Sequence, residues 1–147
     1  MKNGFIIVGL MASLSALGAG KPEIFIGKYE VEHSDNCDRD VGSRAYINLG
    51  TYSDDVKSVE IQFYGSDAVQ VSVPYQSGEV AAPGSGGDLK ETIKASWPNP
   101  RTLNTVVTSK SGRDKWETTY TLAISGQKLV VTTKDVREEV CTLVRKR

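Results

Sequence analysis

The 147-residue sequence holds a single histidine, His33, and only two cysteines, Cys37 and Cys141. One histidine leaves a nucleophilic serine or cysteine almost no base to work with, and neither a G-x-S-x-G elbow nor a matched aspartate accompanies it. Basic and acidic residues are equal in number, 18 of each, with no like-charge run. The electrostatic footprint of a nucleic-acid binder, or of a protein that coats an anionic membrane, is therefore missing. Gly84-Ser85-Gly86-Gly87 is glycine-rich but lacks the Lys-Ser/Thr of a phosphate loop. Glu138 and Glu139 are adjacent, so on a strand they point to opposite faces and cannot share one bond. These absences point away from an enzyme, and no cofactor or metal is expected.

His33 opens an oxygen-rich stretch, Ser34, Asp35, Asn36, Cys37, Asp38, Arg39 and Asp40. Calcium favours such oxygens, but the ordered spacing and closing glutamate of an EF-hand are absent, and turn-forming Asp and Asn explain the same residues. A solvated loop is the expectation.

Residues 1–20 have the order of an export signal: Lys2, an apolar run from Phe5 to Leu14, then the small residues Ala16, Gly18, Ala19 and Gly20. Cleavage is expected after Gly18 or Gly20. The apolar run is shorter than the roughly 20 residues that span a bilayer, and no second run follows. Residues 21–147 then form one exported domain, periplasmic or extracellular, large enough for a single core. In an oxidising compartment two cysteines admit one pairing, Cys37 with Cys141; the alternative is two buried thiols.

Period-two alternation dominates the rest of the chain. Val59, Ile61 and Phe63 oppose Ser58, Glu60, Gln62 and Tyr64, and Val69, Val71 and Val73 repeat the pattern after Gly65-Ser66-Asp67. Trp116, Thr118, Tyr120, Leu122 and Ile124 share a third face, and a turn at Ser125-Gly126-Gln127 leads to Leu129, Val131 and Thr133. Weaker strands are read at Ile24 to His33, Ser43 to Leu49, Leu89 to Trp97, Thr102 to Lys110 and Glu139 to Arg145. The best helix candidate, Asp88 to Ala95, contains Thr92 and Ile93, which favour a strand. Gln76 to Asp88 reads as a long exposed loop.

The expected fold is all-β, an antiparallel up-and-down meander of about eight or nine strands closing into a β-barrel. A disulfide requires Cα atoms within about 7 Å, so a Cys37–Cys141 bridge would staple the first strand to the last across the seam. An outer-membrane barrel is disfavoured, because outward positions carry Glu60, Gln62, Glu117 and Lys128 where lipid demands an apolar band.

With Gly27-Lys28-Tyr29 on the first strand, where lipocalins usually have Gly-x-Trp, the chain resembles the lipocalin-like, or calycin, group of small exported barrels. Arg145 after the terminal strand is similar to the basic residue that often covers that ring, and a disulfide joining the barrel ends is similar too. The resemblance implies transport or sequestration of small apolar molecules.

The expected function is non-enzymatic binding of a small apolar ligand, with Trp97, Trp116, Tyr120 and Tyr75 as contacts; ordinary core packing explains the same rings. An eight-stranded barrel is wide enough to be filled or to hold one small ligand. The alternative partner is an envelope protein, with the chain acting as a protease or lysozyme inhibitor through the Gln76 to Asp88 or His33 to Asp40 loop.

Overall fold

The computed structural model describes residues 20–37, 39–53, 55–65, 68–82 and 88–147. Apart from Gly20, the expected leader lies outside the described residues. A 3-10 turn at Pro22–Phe25 precedes ten strands: β1 (Gly27–Asp35), β2 (Arg44–Ser53), β3 (Val56–Tyr64), β4 (Val69–Pro74) and β5 (Gly78–Ala81), then β6 (Lys90–Asn99), β7 (Thr102–Ser111), β8 (Asp114–Ser125), β9 (Lys128–Lys134) and β10 (Glu138–Lys146). All pairings are antiparallel, in the order β4-β3-β2-β1-β10-β9-β8-β7-β6-β5.

Alternation carries the sheet. Along β7, Leu103, Thr105, Val107 and Ser109 are buried while their neighbours are not, as a strand with one face on the core requires. Glycine makes two of the hairpins possible: Gly112 and Gly126 adopt φ of 60° and 59°, a left-handed conformation that costs other residues about 1 kcal/mol or more. Among the described residues no helix is long and apolar enough to cross a membrane.

The all-β, up-and-down reading stands, with two corrections. Among the described residues there are ten strands, because the segment expected as one loop from Gln76 to Asp88 contains β5, paired with β6 from Gly78↔Ile93 to Ala81↔Lys90. Four residues beside Gly and Ser carry too little alternation to announce themselves. The sheet also does not close by hydrogen bonds, since β4 and β5 are its two edges. The first and last strands do lie side by side, from Lys28↔Lys146 to Asp35↔Val140, but their ladder is internal to the sheet and is not the seam. The Cys37–Cys141 disulfide, Cα atoms 5.5 Å apart, links the end of β1 to β10 there.

Two smaller differences are local. Ile24 and Phe25, expected as the start of the first strand, instead wind with Pro22 and Glu23 into the 3-10 turn, as proline at a helix start favours. At the other end, β6 runs on through Pro98 to Asn99 with a register shift after Ser96, the bulge that lets proline sit in a strand.

A side-chain bond ties the end of edge strand β4 to β7. Thr105 Oγ1 on β7 donates to the carbonyl of Pro74, the last residue of β4, at 2.6 Å. Ser77, just before β5, accepts from the Ala95 amide at 2.9 Å. The β2–β3 hairpin tip lies across β6 and β7, packing Val56 on Ile93 and Val107.

Candidate functional site

The base of the fold is filled. Phe25, carried by the 3-10 turn, is fully buried and stacks on Trp97 with ring centroids 5.8 Å apart. Gly20 lies so close to Trp97 that a Cβ there would sit 1.9 Å from the indole. Beside them, Tyr29 donates its hydroxyl to the Phe25 carbonyl at 2.9 Å. Arg145 covers the Tyr29 ring at 5.3 Å and donates to the Tyr29 hydroxyl at 2.7 Å and to the Ile24 carbonyl at 2.5 Å. Burial raises the Tyr29 pKa, and the hydrogen bond and charge of Arg145 pull it partly back. The Gly27-Lys28-Tyr29 and Arg145 signature is thus one closed structural unit.

Above the base the interior changes character. Leu103, Leu122 and Val131 form one buried row across β7, β8 and β9. The next row along those strands is Ala95, Thr105, Tyr120 and Thr133, of which only Thr105 is buried and the other three are half-buried. Beyond it lies the separate cluster of Val56, Ile93 and Val107, and Tyr120 packs against both clusters. A domain commonly has one contiguous core with smaller satellite clusters beside it. Here a row of mostly short, partly accessible side chains separates two.

A third layer is polar. Glu91, 8% exposed, points inward from β6 in phase with Ile93, with Val80 and Ser109 as its cross-strand neighbours. Tyr52 of β2 donates its hydroxyl to the Glu91 carboxylate. Its orientation comes from a bulge: Thr51 pairs with Lys57 and Ser53 with Val56, leaving Tyr52 as the extra residue, and such a bulge re-aims a side chain. Burial first, and then the hydrogen bond and charge of Glu91, push the Tyr52 pKa upward. Tyr120 is also raised, by burial first and then by the charges of Glu91 and Asp135.

The four aromatic residues expected as ligand contacts fall in different places. Trp97 belongs to the base. Trp116, 47% exposed, pairs with Ser109 and so stands at the Glu91 level, six residues along the strand from Trp97 or roughly 20 Å. Tyr120 sits between the clusters. Tyr75 follows β4, half-buried against the larger cluster, with its pKa raised by burial and by Glu23. Alternation missed Tyr52, because a bulge breaks the phase, but it contained Glu91, a carboxylate in register with Ile93, Ala95 and Trp97.

Other features are structural. On the outer face Ser58, Gln70 and Ser72 all donate to the Glu60 carboxylate, which lies over Gly50. A pocket of about 410 Å³ along β5 to β7 is lined by Glu79, Val80, Ala81, Lys90, Glu91, Thr92 and Lys110. In the expected His33 to Asp40 loop, His33 to Asp35 belong to β1, Cys37 is in the disulfide, Arg39 stands 5.2 Å over the Phe63 ring, and Asp38 lies outside the described residues. Among the described residues no three His, Cys, Asp or Glu side chains converge.

Comparison with protein-family models finds none that matches, and comparison with curated proteins finds none either. Solved structures do match. A mutant of the fluorescent protein UnaG is 21% identical with a TM-score of 0.52, over 85% of this chain and 98% of that one. As-p18, an extracellular fatty acid binding protein, is 15% identical with a TM-score of 0.50, over 87% of this chain and 100% of that one. Identity this low carries fold alone, and the fold that this chain shares with these structures is lipocalin-like.

Proposed function

We propose that this protein is an exported, non-enzymatic binding protein that holds a small apolar molecule inside its curled sheet. The observation that carries the reading is the half-buried row of Ala95, Tyr120 and Thr133 between two separate apolar clusters. Short inward side chains at a level where a filled barrel would be densely packed leave room for a guest. Tyr120 and Tyr75 are its contacts, Trp116 stands at the rim and Trp97 belongs to the floor. The sheet acts as a barrel split between β4 and β5, a reading supported by the Thr105–Pro74 bond, which ties the end of β4 to β7. Affinity comes from desolvating the guest in a largely preformed site. As-p18, similar in fold, is an extracellular fatty acid binding protein.

Export is supported by the leader and the disulfide, since such bonds persist in oxidising compartments. The seating of Gly20 against Trp97 favours cleavage after Gly18.

Titration with the neutral apolar dye Nile red tests the site. The protein is expected to bind saturably at one site, and Ala95→Phe to weaken binding at least tenfold, by about 1.4 kcal/mol or more, while the melting temperature stays level or rises. Absence of dye binding overturns the reading. So does destabilisation of Ala95→Phe by about 1–3 kcal/mol, the signature of overpacking a filled interior.

A further inference from the structure

We infer that the β7–β8 hairpin tip docks this protein on an anionic phospholipid surface, drawn down by a cross-strand row of lysines and anchored by Trp116. Lys90, Lys110 and Lys115 are scattered in the sequence, so no like-charge run marks them. Register brings them together: Lys90 pairs with Lys110, and Lys110 with Lys115, across β6, β7 and β8. All three are exposed, and among the described residues none has an ion-pair partner. Like charges directly opposite one another, with Cβ atoms about 5 Å apart, destabilise a sheet. An anionic surface laid against the row relieves that repulsion.

The hairpin also stands clear of its neighbour. The β8–β9 ladder begins only at Thr119↔Lys134, while β7 and β8 stay paired out to Ser111↔Asp114. Residues Asp114 to Thr118 therefore project past β9, by roughly 16 Å. Every residue from Lys110 to Glu117 is exposed, Trp116 among them at 47%, and tryptophan favours a membrane interface because its ring is apolar and its N–H is not. Arg113 at the turn adds a fourth cation, and Asp114 and Glu117 offset two of the four. Glu79 and Glu91 line the same pocket as Lys90 and Lys110 without pairing with either. Each excess charge is worth roughly fivefold in partitioning to an anionic surface, so charge alone anchors weakly and an apolar side chain completes the attachment. The lysines occupy the outer face of the hairpin and Trp116 the inner face. A tip entering a headgroup layer engages both faces at once, whereas a soluble chain laid on the lysine row reaches only one.

Sedimentation with vesicles of phosphatidylglycerol and phosphatidylcholine in equal parts, against phosphatidylcholine alone, tests the docking. The protein is expected to bind the mixed vesicles at least tenfold more strongly, with its tryptophan emission shifting to the blue, and to lose that preference in about 1 M salt, where charges are screened beyond roughly 3 Å. The triple variant Lys90→Gln, Lys110→Gln, Lys115→Gln is expected to weaken binding at least tenfold, while its melting temperature stays level or rises. Trp116→Ala is expected to abolish the emission shift, since Trp97 is stacked on Phe25 at the base. Absence of binding to the mixed vesicles, equal binding to phosphatidylcholine, full binding by the triple variant or an emission shift that survives Trp116→Ala overturns the inference. Retention on heparin without binding to vesicles also overturns it and assigns the lysine row to a soluble polyanion. None of these outcomes depends on the interior, so failure here leaves the cavity reading standing.

Discussion

Replacing Cys37 and Cys141 together with serine is expected to lower stability by about 2–5 kcal/mol and the melting temperature by roughly 10 °C or more. The residues are 104 apart in sequence, so the bridge removes a very long loop from the unfolded ensemble, and the chain-entropy model gives about 4.7 kcal/mol for that length. The bond also sits where β1 meets β10, the pairing of the chain's two ends. Without it that pairing must be found by closing almost the whole chain, whose entropy is otherwise unfavourable. Urea unfolding measures the effect, and reducing agent should reproduce the loss in the natural protein while leaving the double variant unchanged. A loss below about 0.5 kcal/mol would mean that the β1–β10 ladder holds the ends without help.

Arg145→Met is expected to cost about 2–4 kcal/mol, because it removes charge-assisted bonds to Tyr29 and Ile24 at the base and a cation over an aromatic face. Methionine keeps much of the apolar stem, so the loss reads the guanidinium. Tyr29→Phe retains the ring and removes the hydroxyl that both donates to Phe25 and accepts from Arg145. The double variant should therefore lose less than the sum of the single ones, by about 0.5–3 kcal/mol. Strict additivity in urea unfolding would show that Arg145 acts through the Ile24 carbonyl alone.

Period-two alternation made nine of the ten strands legible, because each buries one face and solvates the other. The strand it hid, β5, is four residues long and is followed by a glycine-rich segment, where two alternations cannot be told from chance. The bridge was legible as well, since two cysteines admit one pairing. The position of the sheet's edges was not. Hydrogen bonding between β4 and β5 depends on how far the sheet coils, a sum of twists over ten strands that no local pattern encodes.

The candidate site divides in the same way. Tyr120 and Tyr75 were visible as aromatic residues next to core strands; Tyr120 belongs to the half-buried row, and Tyr75 packs on the larger cluster after β4. Trp97 was equally visible, but the 3-10 turn brings Phe25 against it and commits it to the base. Glu91 was in phase with an apolar face and so was readable. Tyr52 was not, because its direction depends on a bulge that pairing with β3 creates.

By itself the sequence determined an antiparallel all-β chain and the one cross-link that its two cysteines admit, since these follow from alternation and cysteine number, while the aromatic and basic residues that cap its base were legible only through the resemblance to lipocalin-like barrels. Only the tertiary structure decided where the sheet stays open, which rings are already used in packing and which carboxylate faces inward. Those outcomes depend on contacts between strands distant in sequence, and their geometry is set by accumulated twist and by single-residue bulges.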